Sequence, residues 1–148
     1  MPVYESRIAL PGSAQRVFDF LIRPANLQLI SPPDVQMAFI EAPEVISLGS
    51  KLVFKIQVYG QVQQFEHKIV EFDTPHKFRE EAIVTPMKSW IQDYILETGD
   101  GSEVVLLNRI TFEPPGGLLG FILTSDRIME NLKDGHDYRR DALQKALA

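Results

Sequence analysis

Residues 90–123 read WIQDYILETGDGSEVVLLNRITFEPPGGLLGFIL. Two alternating runs flank Gly99-Asp100-Gly101, and Pro114-Pro115-Gly116-Gly117 then ends the alternation. Trp90, Gln92, Tyr94 and Leu96 share one parity in the first run; Leu106, Asn108, Ile110 and Phe112 share one in the second. A period of two predicts strands, and the glycines between them predict a turn. Beyond the Pro-Gly block the period becomes helical as far as Ala148, with a stripe of Leu118, Ile122, Ser125, Met129, Leu132, His136, Leu143 and Leu147. Thr124-Ser125-Asp126 can cap a fresh helix, so the segment is either one helix or two. Gly135 costs about 1 kcal/mol against alanine inside a helix. It marks either a close approach to the sheet or a kink.

The alternation extends towards the N-terminus. Phe78, Glu80, Ala82 and Val84 share a face, as do Phe65, His67 and Ile69. Leu52, Phe54, Ile56 and Val58 oppose Val53, Lys55, Gln57 and Tyr59. Gly49-Ser50, Gly60-Gln61 and Thr74-Pro75 supply turns. Val35, Met37 and Phe39 predict one more strand, and Val3 to Leu10 another. Between those two lie two short helices. Ser13 caps the first, with Ala14, Val17, Phe18, Leu21 and Ile22 at helical spacing; the second runs from Ala25 to Ile30 and stops at Ser31-Pro32-Pro33.

The order is thus strand, two short helices, six strands, long helix. Short hairpin connections predict an antiparallel sheet. Its apolar face must be covered, and only the C-terminal helix is large enough to do it. The expected fold class is α+β: a curved antiparallel sheet of about seven strands around a long C-terminal helix, with a pocket between them.

Composition narrows the function classes. The 148 residues suit one domain, with 45% hydrophobic and 24% charged residues. Without cysteine there is no disulfide, thiol nucleophile or zinc-thiolate site. The net charge of −5 and the lack of a basic run argue against a nucleic-acid partner. The first ten residues lack the apolar core of a signal peptide, and the run Leu118–Leu123 is too short to span a bilayer. A cytoplasmic protein without stable membrane insertion is the expectation.

Parity places Glu80, Gln92, Tyr94 and Asn108 on the same face as Phe78, Trp90, Leu96, Leu106 and Ile110. Consecutive antiparallel strands bring these polar groups side by side on an apolar surface. Buried polar groups need partners: one another, water or a ligand. Glu80 is the sharpest acid–base candidate, with Tyr94 or His67 beside it; the alternative is a Glu80 that pairs with a nearby cation or reaches solvent at the sheet edge. Trp90 offers a flat wall with an N–H handle. Phe54, Ile56, Phe65 and Met129 either line the cavity or fill the core. His76 belongs to a turn and solvent. No histidine pair has metal-ligand spacing, so neither a metal nor another cofactor is expected. The leading expectation is a small lipophilic or aromatic ligand; the alternatives are an acid–base enzyme using Glu80 and a protein-interaction module with a closed pocket.

The element order resembles the START-like (SRPBCC, helix-grip) superfamily, which includes polyketide cyclases and lipid-transfer domains. Pro11 to Phe18 resembles the opening of that superfamily's first helix. Asn26-Leu27 with Ser31-Pro32-Pro33, then Phe78 and Glu80, then Thr85-Pro86-Met87-Lys88-Ser89-Trp90, and finally Pro115 to Gly120 resemble stretches of a bacterial standalone subgroup. That subgroup is grouped at times with cell-division inhibitors. It carries two histidines just after the tryptophan and an acidic residue on the last strand. Here those positions hold Gln92, Tyr94 and Asn108, which puts acid–base chemistry built on them in doubt.

Overall fold

The computed structural model describes residues 1–58, 60–98 and 101–148. β1 (Val3–Pro11) leads into α1 (Ala14–Leu21) and α2 (Pro24–Leu29). The Ser13 hydroxyl accepts from the Arg16 amide and caps α1. Six strands follow: β2 (Ala38–Glu41), β3 (Lys51–Val58), β4 (Gln61–Asp73), β5 (Lys77–Val84), β6 (Ser89–Thr98) and β7 (Glu103–Glu113). The chain ends in α3 (Leu119–Ile122) and α4 (Ser125–Leu147).

All seven strands form one antiparallel sheet in the order β1-β7-β6-β5-β4-β3-β2. From β2 to β7 each strand pairs with its sequence neighbour; β1 then closes on β7, so the two sheet edges are β1 and β2. Bulges interrupt the β4–β5 ladder at Glu66/His67 and again at Ile69/Glu71. Such irregularities bend a strand and raise its twist, which lets a sheet curve.

The outer face carries a ladder of alternating charge. Glu71, Arg79, Asp93, Arg109 and Glu5 are successive lateral partners on β4, β5, β6, β7 and β1. Arg79 grips Asp93 with two bonds, Nε to Oδ1 at 2.7 Å and Nη2 to Oδ2 at 3.1 Å. Asp93 is only 2% exposed, and its hydrogen bond is the main cause that raises the Arg79 pKa above its ordinary value. Arg109 Nε donates to Glu5 at the β1 edge. A slip of one residue would set these charges against apolar neighbours, so the ladder supports the register that the inner apolar face demands.

The inner face and the helices share the main core. Ile8, Leu10, Val17, Phe18, Leu21, Leu52, Ile69, Phe78, Leu106, Leu143 and Leu147 are buried together. Phe18 meets Phe72 and Phe78 edge-on, at 5.4 and 5.8 Å between ring centroids. A smaller cluster, Ile110, Phe112, Leu123 and Ile128, forms under the first turns of α4.

Several expectations are corrected. Val35 lies in a single 3₁₀ turn, Pro33–Val35, and the strand begins only at Ala38. Two successive prolines favour that turn over a ladder that needs their N–H groups. The C-terminal segment is two helices, because Thr124 is extended (ψ 160°) and caps α4 by accepting from the Arg127 amide. Leu143 and Leu147 of the stripe are buried, as is Ile128, whereas Leu118, before the break, is 85% exposed. α4 runs unbroken through Gly135, and a Cβ there would lie 3.4 Å from Pro32, so the close approach is to the loop after α2 and not to the sheet. Tyr59 and the Gly99-Asp100 part of one expected turn lie outside the described residues.

Candidate functional site

A cavity of about 770 Å³ separates the inner face of the sheet from α4. This falls within the range of about 300–1,000 Å³ usual for small-molecule sites. β3 and β4 contribute Phe54, Ile56, Phe65 and His67; β5 and β6 contribute Glu80, Trp90, Gln92 and Tyr94. α4 covers them with Ile128, Leu132, His136, Arg139 and Leu143. Asp34, Gln61, Leu119, Ile122 and Asp134 line the same space and are exposed, so they mark its opening.

The polar groups of the inner face meet side by side across four strands, in two hydrogen-bonded groups. His67 Nδ1 lies 3.0 Å from Glu80 Oε2. The Glu80 carboxylate also acts on the Tyr94 phenol, whose pKa it helps to raise. Gln92 Nε2 donates to Tyr94 Oη at 2.9 Å and to Asn108 Oδ1 at 3.3 Å. Asn108 Nδ2 donates to the Asp93 carbonyl at 3.0 Å. Arg139 Nη1 reaches down from α4 to Asn108 Oδ1 at 2.9 Å. The backbone dictates this arrangement. Glu80 is the lateral partner of Gln92, and Tyr94 that of Asn108, so His67–Glu80 and Gln92–Asn108 are diagonals, while Gln92–Tyr94 joins neighbours along β6.

Burial pushes the Tyr94 phenol far above its ordinary value; the Glu80 charge adds to this, and Arg139 opposes it. Tyr94 therefore remains neutral throughout the physiological range, and its hydroxyl accepts from Gln92. Its ring stacks on Phe78 at 4.4 Å. Tyr4, another cavity residue, is raised as well, again mainly by burial, with Arg139 opposing and Asp137 adding. His67 packs edge-on against Phe54 at 4.8 Å, so an aromatic wall flanks the imidazole.

The expected residues divide into three groups. Phe54, Ile56, Phe65, His67, Glu80, Trp90, Gln92 and Tyr94 all line the cavity. Asn108 is buried but is not a lining residue; it lies behind Gln92 and Arg139 and fixes both. Met129 is not a lining residue either, and packs with the Ile110 and Phe112 cluster, while Ile128 takes the wall position. Arg139 is the residue that the stripe passes over. It lies three positions after His136 and four before Leu143, which is the helical spacing for one face. His76 is exposed in its turn. Among the described residues, no three histidine or carboxylate groups converge as metal ligands. No helix among them is long and apolar enough to cross a membrane.

No protein-family model and no curated protein matches this chain. Solved structures do. The ginseng major latex-like protein 151 from Panax ginseng superposes with a TM-score of 0.72 at 13% identity, covering 99% of this chain and 97% of that one. Ara h 8.0201 gives 0.66 at 13% identity, covering 99% and 97%. The protein XoxI from Bacillus cereus gives 0.67 at 16% identity, covering 99% and 96%. Such low identities speak to fold alone, and the fold is the START-like helix-grip fold along the full chain.

Proposed function

We propose that this protein binds a small apolar or aromatic molecule in the cavity between its sheet and α4. The supporting observation is the cavity itself: about 770 Å³, walled by Leu21, Leu27, Leu52, Phe54 and Ile110, with a few convergent polar groups at one side. Apolar walls supply affinity through removal of water, and fixed polar groups orient the occupant. A domain whose pocket is packed shut fits that volume poorly. The ligand-facing residues on this reading are Phe54, Ile56, Phe65, His67, Glu80, Trp90, Gln92 and Tyr94. The test is solvent extraction of the purified protein with mass spectrometry, together with thermal shifts against lipids, quinones and aromatics. An extractable lipophile or a saturable shift is expected. Neither appearing would overturn the reading.

A second reading rests on the His67–Glu80 pair. Glu80 takes up Nδ1, which leaves Nε2 as the imidazole's remaining polar atom in a side chain that lines the cavity. A carboxylate-oriented imidazole is the arrangement of a general base. A cyclase or dehydratase would use it to move a proton on a bound carbonyl compound. Glu80→Gln should then abolish turnover and keep binding; unchanged turnover would exclude the pair.

A further inference from the structure

Most polar groups of the cavity satisfy one another. Arg139 does not. Its neighbour Arg140 pairs with Asp137 at 3.4 Å and Asp141 at 3.3 Å, on the far side of the same turn. Among the described residues, Arg139 makes one hydrogen bond, to the neutral amide oxygen of Asn108, and no carboxylate lies within ion-pair distance of it. A guanidinium carries five donors in a planar fork and never loses its charge in a protein.

The other carboxylates of the lining do not balance that charge. Glu80 is already paired with His67. Asp34 and Asp134 are exposed at the opening. The guanidinium is half-buried and shares its cavity with Leu143, Leu106 and Ile110. A cation in apolar surroundings gains most from an anion that brings two acceptors to its fork. Asn108 holds the group in place and is itself held by the Asp93 carbonyl, so the fork is fixed before an occupant arrives.

We propose that the cavity selects amphipathic carboxylates: an apolar body along the sheet, with its acid group on Arg139. This rests on the binding function proposed above and narrows it to one ligand class.

The test uses calorimetric titration of the full chain with two matched pairs, dodecanoate against dodecan-1-ol and 2-naphthoate against 2-naphthalenemethanol. In at least one pair the acid should bind about tenfold tighter than the alcohol, the scale of a charge-assisted bidentate contact. The pair that shows the preference separates an aliphatic from an aromatic acid. Arg139→Gln should bring the ratio close to one, Arg139→Lys should retain part of it, and Arg140→Gln should leave it as in the wild type. Acids and alcohols that bind alike in the wild type, or a ratio that survives Arg139→Gln, would overturn the acid assignment and leave the binding function standing. Failure of all four probes, in a protein that also yields no extractable lipophile, would remove both. Should Arg139→Gln not fold, the wild-type ratio and Arg139→Lys still decide.

Discussion

His67 Nδ1 lies 3.0 Å from Glu80 Oε2, with both side chains buried, on residues that are diagonal neighbours across β4 and β5. Breaking such a pair leaves an uncompensated group inside the protein. Glu80→Ala should therefore cost about 3–5 kcal/mol, because it strands the buried His67 imidazole. The double variant His67→Phe with Glu80→Ala should cost less than the sum of the single changes. Urea unfolding of the four proteins measures this; strict additivity would show that the two groups are not coupled.

Tyr94 gives a pH prediction. Its folded pKa is raised, whereas the unfolded phenol titrates near about 10. Below about 10 the phenol is neutral in both states and the stabilisation is fully present. Above it the unfolded state loses the proton first, so stability falls as the pH climbs towards the folded value. Tyr94→Phe should flatten this alkaline limb and cost about 1–2 kcal/mol at neutral pH through the lost hydrogen bond from Gln92. Denaturant midpoints between pH 7 and 11 test both parts. A limb equally steep in the variant would assign the effect to Tyr4, which is shifted in the same direction.

On the outer face, Asp93 and Arg109 should behave unequally although they are adjacent in the charge ladder. Asp93 is buried and doubly bonded by Arg79, so Asp93→Ala should cost about 2–3 kcal/mol. Arg109 and Glu5 are both more than a third exposed, and Arg109→Ala should cost less than about 1 kcal/mol. Chemical denaturation of the two variants at low and high salt checks the contrast. Equal costs would contradict it.

Gly120 holds α3 against the preceding loop. A Cβ there would come within 2.4 Å of the Pro115 carbonyl oxygen, a backbone atom that cannot swing aside. Gly120→Ala should displace α3 and lower stability by about 1–3 kcal/mol, as overpacking does. Gly49→Ala is a useful comparison, because its Cβ meets nothing within 4 Å and the cost comes only from a positive φ of 87°. Hydrogen exchange should rise in residues 118–123 for the first variant alone.

Alternation was enough to place Glu80, Gln92 and Tyr94 on the cavity face, because parity on a paired strand leaves no other choice. Three features needed coordinates. The His67–Glu80 contact depends on the β4–β5 register, which two bulges shift. Parity also says nothing of depth, so Asn108 looks equivalent to Gln92 in sequence although it lies behind it. On α4, Leu132, His136 and Leu143 of the expected stripe line the cavity, but Ile128 takes the place of Met129. Arg139 has the right spacing, but an arginine on an apolar stripe draws attention only when the surrounding groups show that no acid answers it.

The central claim, a cavity open to an apolar occupant, is tested most directly by titration with N-phenyl-1-naphthylamine, a neutral aromatic whose fluorescence rises away from water. Ser6 lines the cavity from β1, opposite Asn108, and Ser6→Trp would fill the space there. The wild type should bind one probe per chain with a Kd of about 1 μM, and Ser6→Trp should weaken this at least about tenfold without loss of the folded state. No saturable binding by the wild type, or the same Kd in both proteins, would contradict the assignment of the cavity as the binding site.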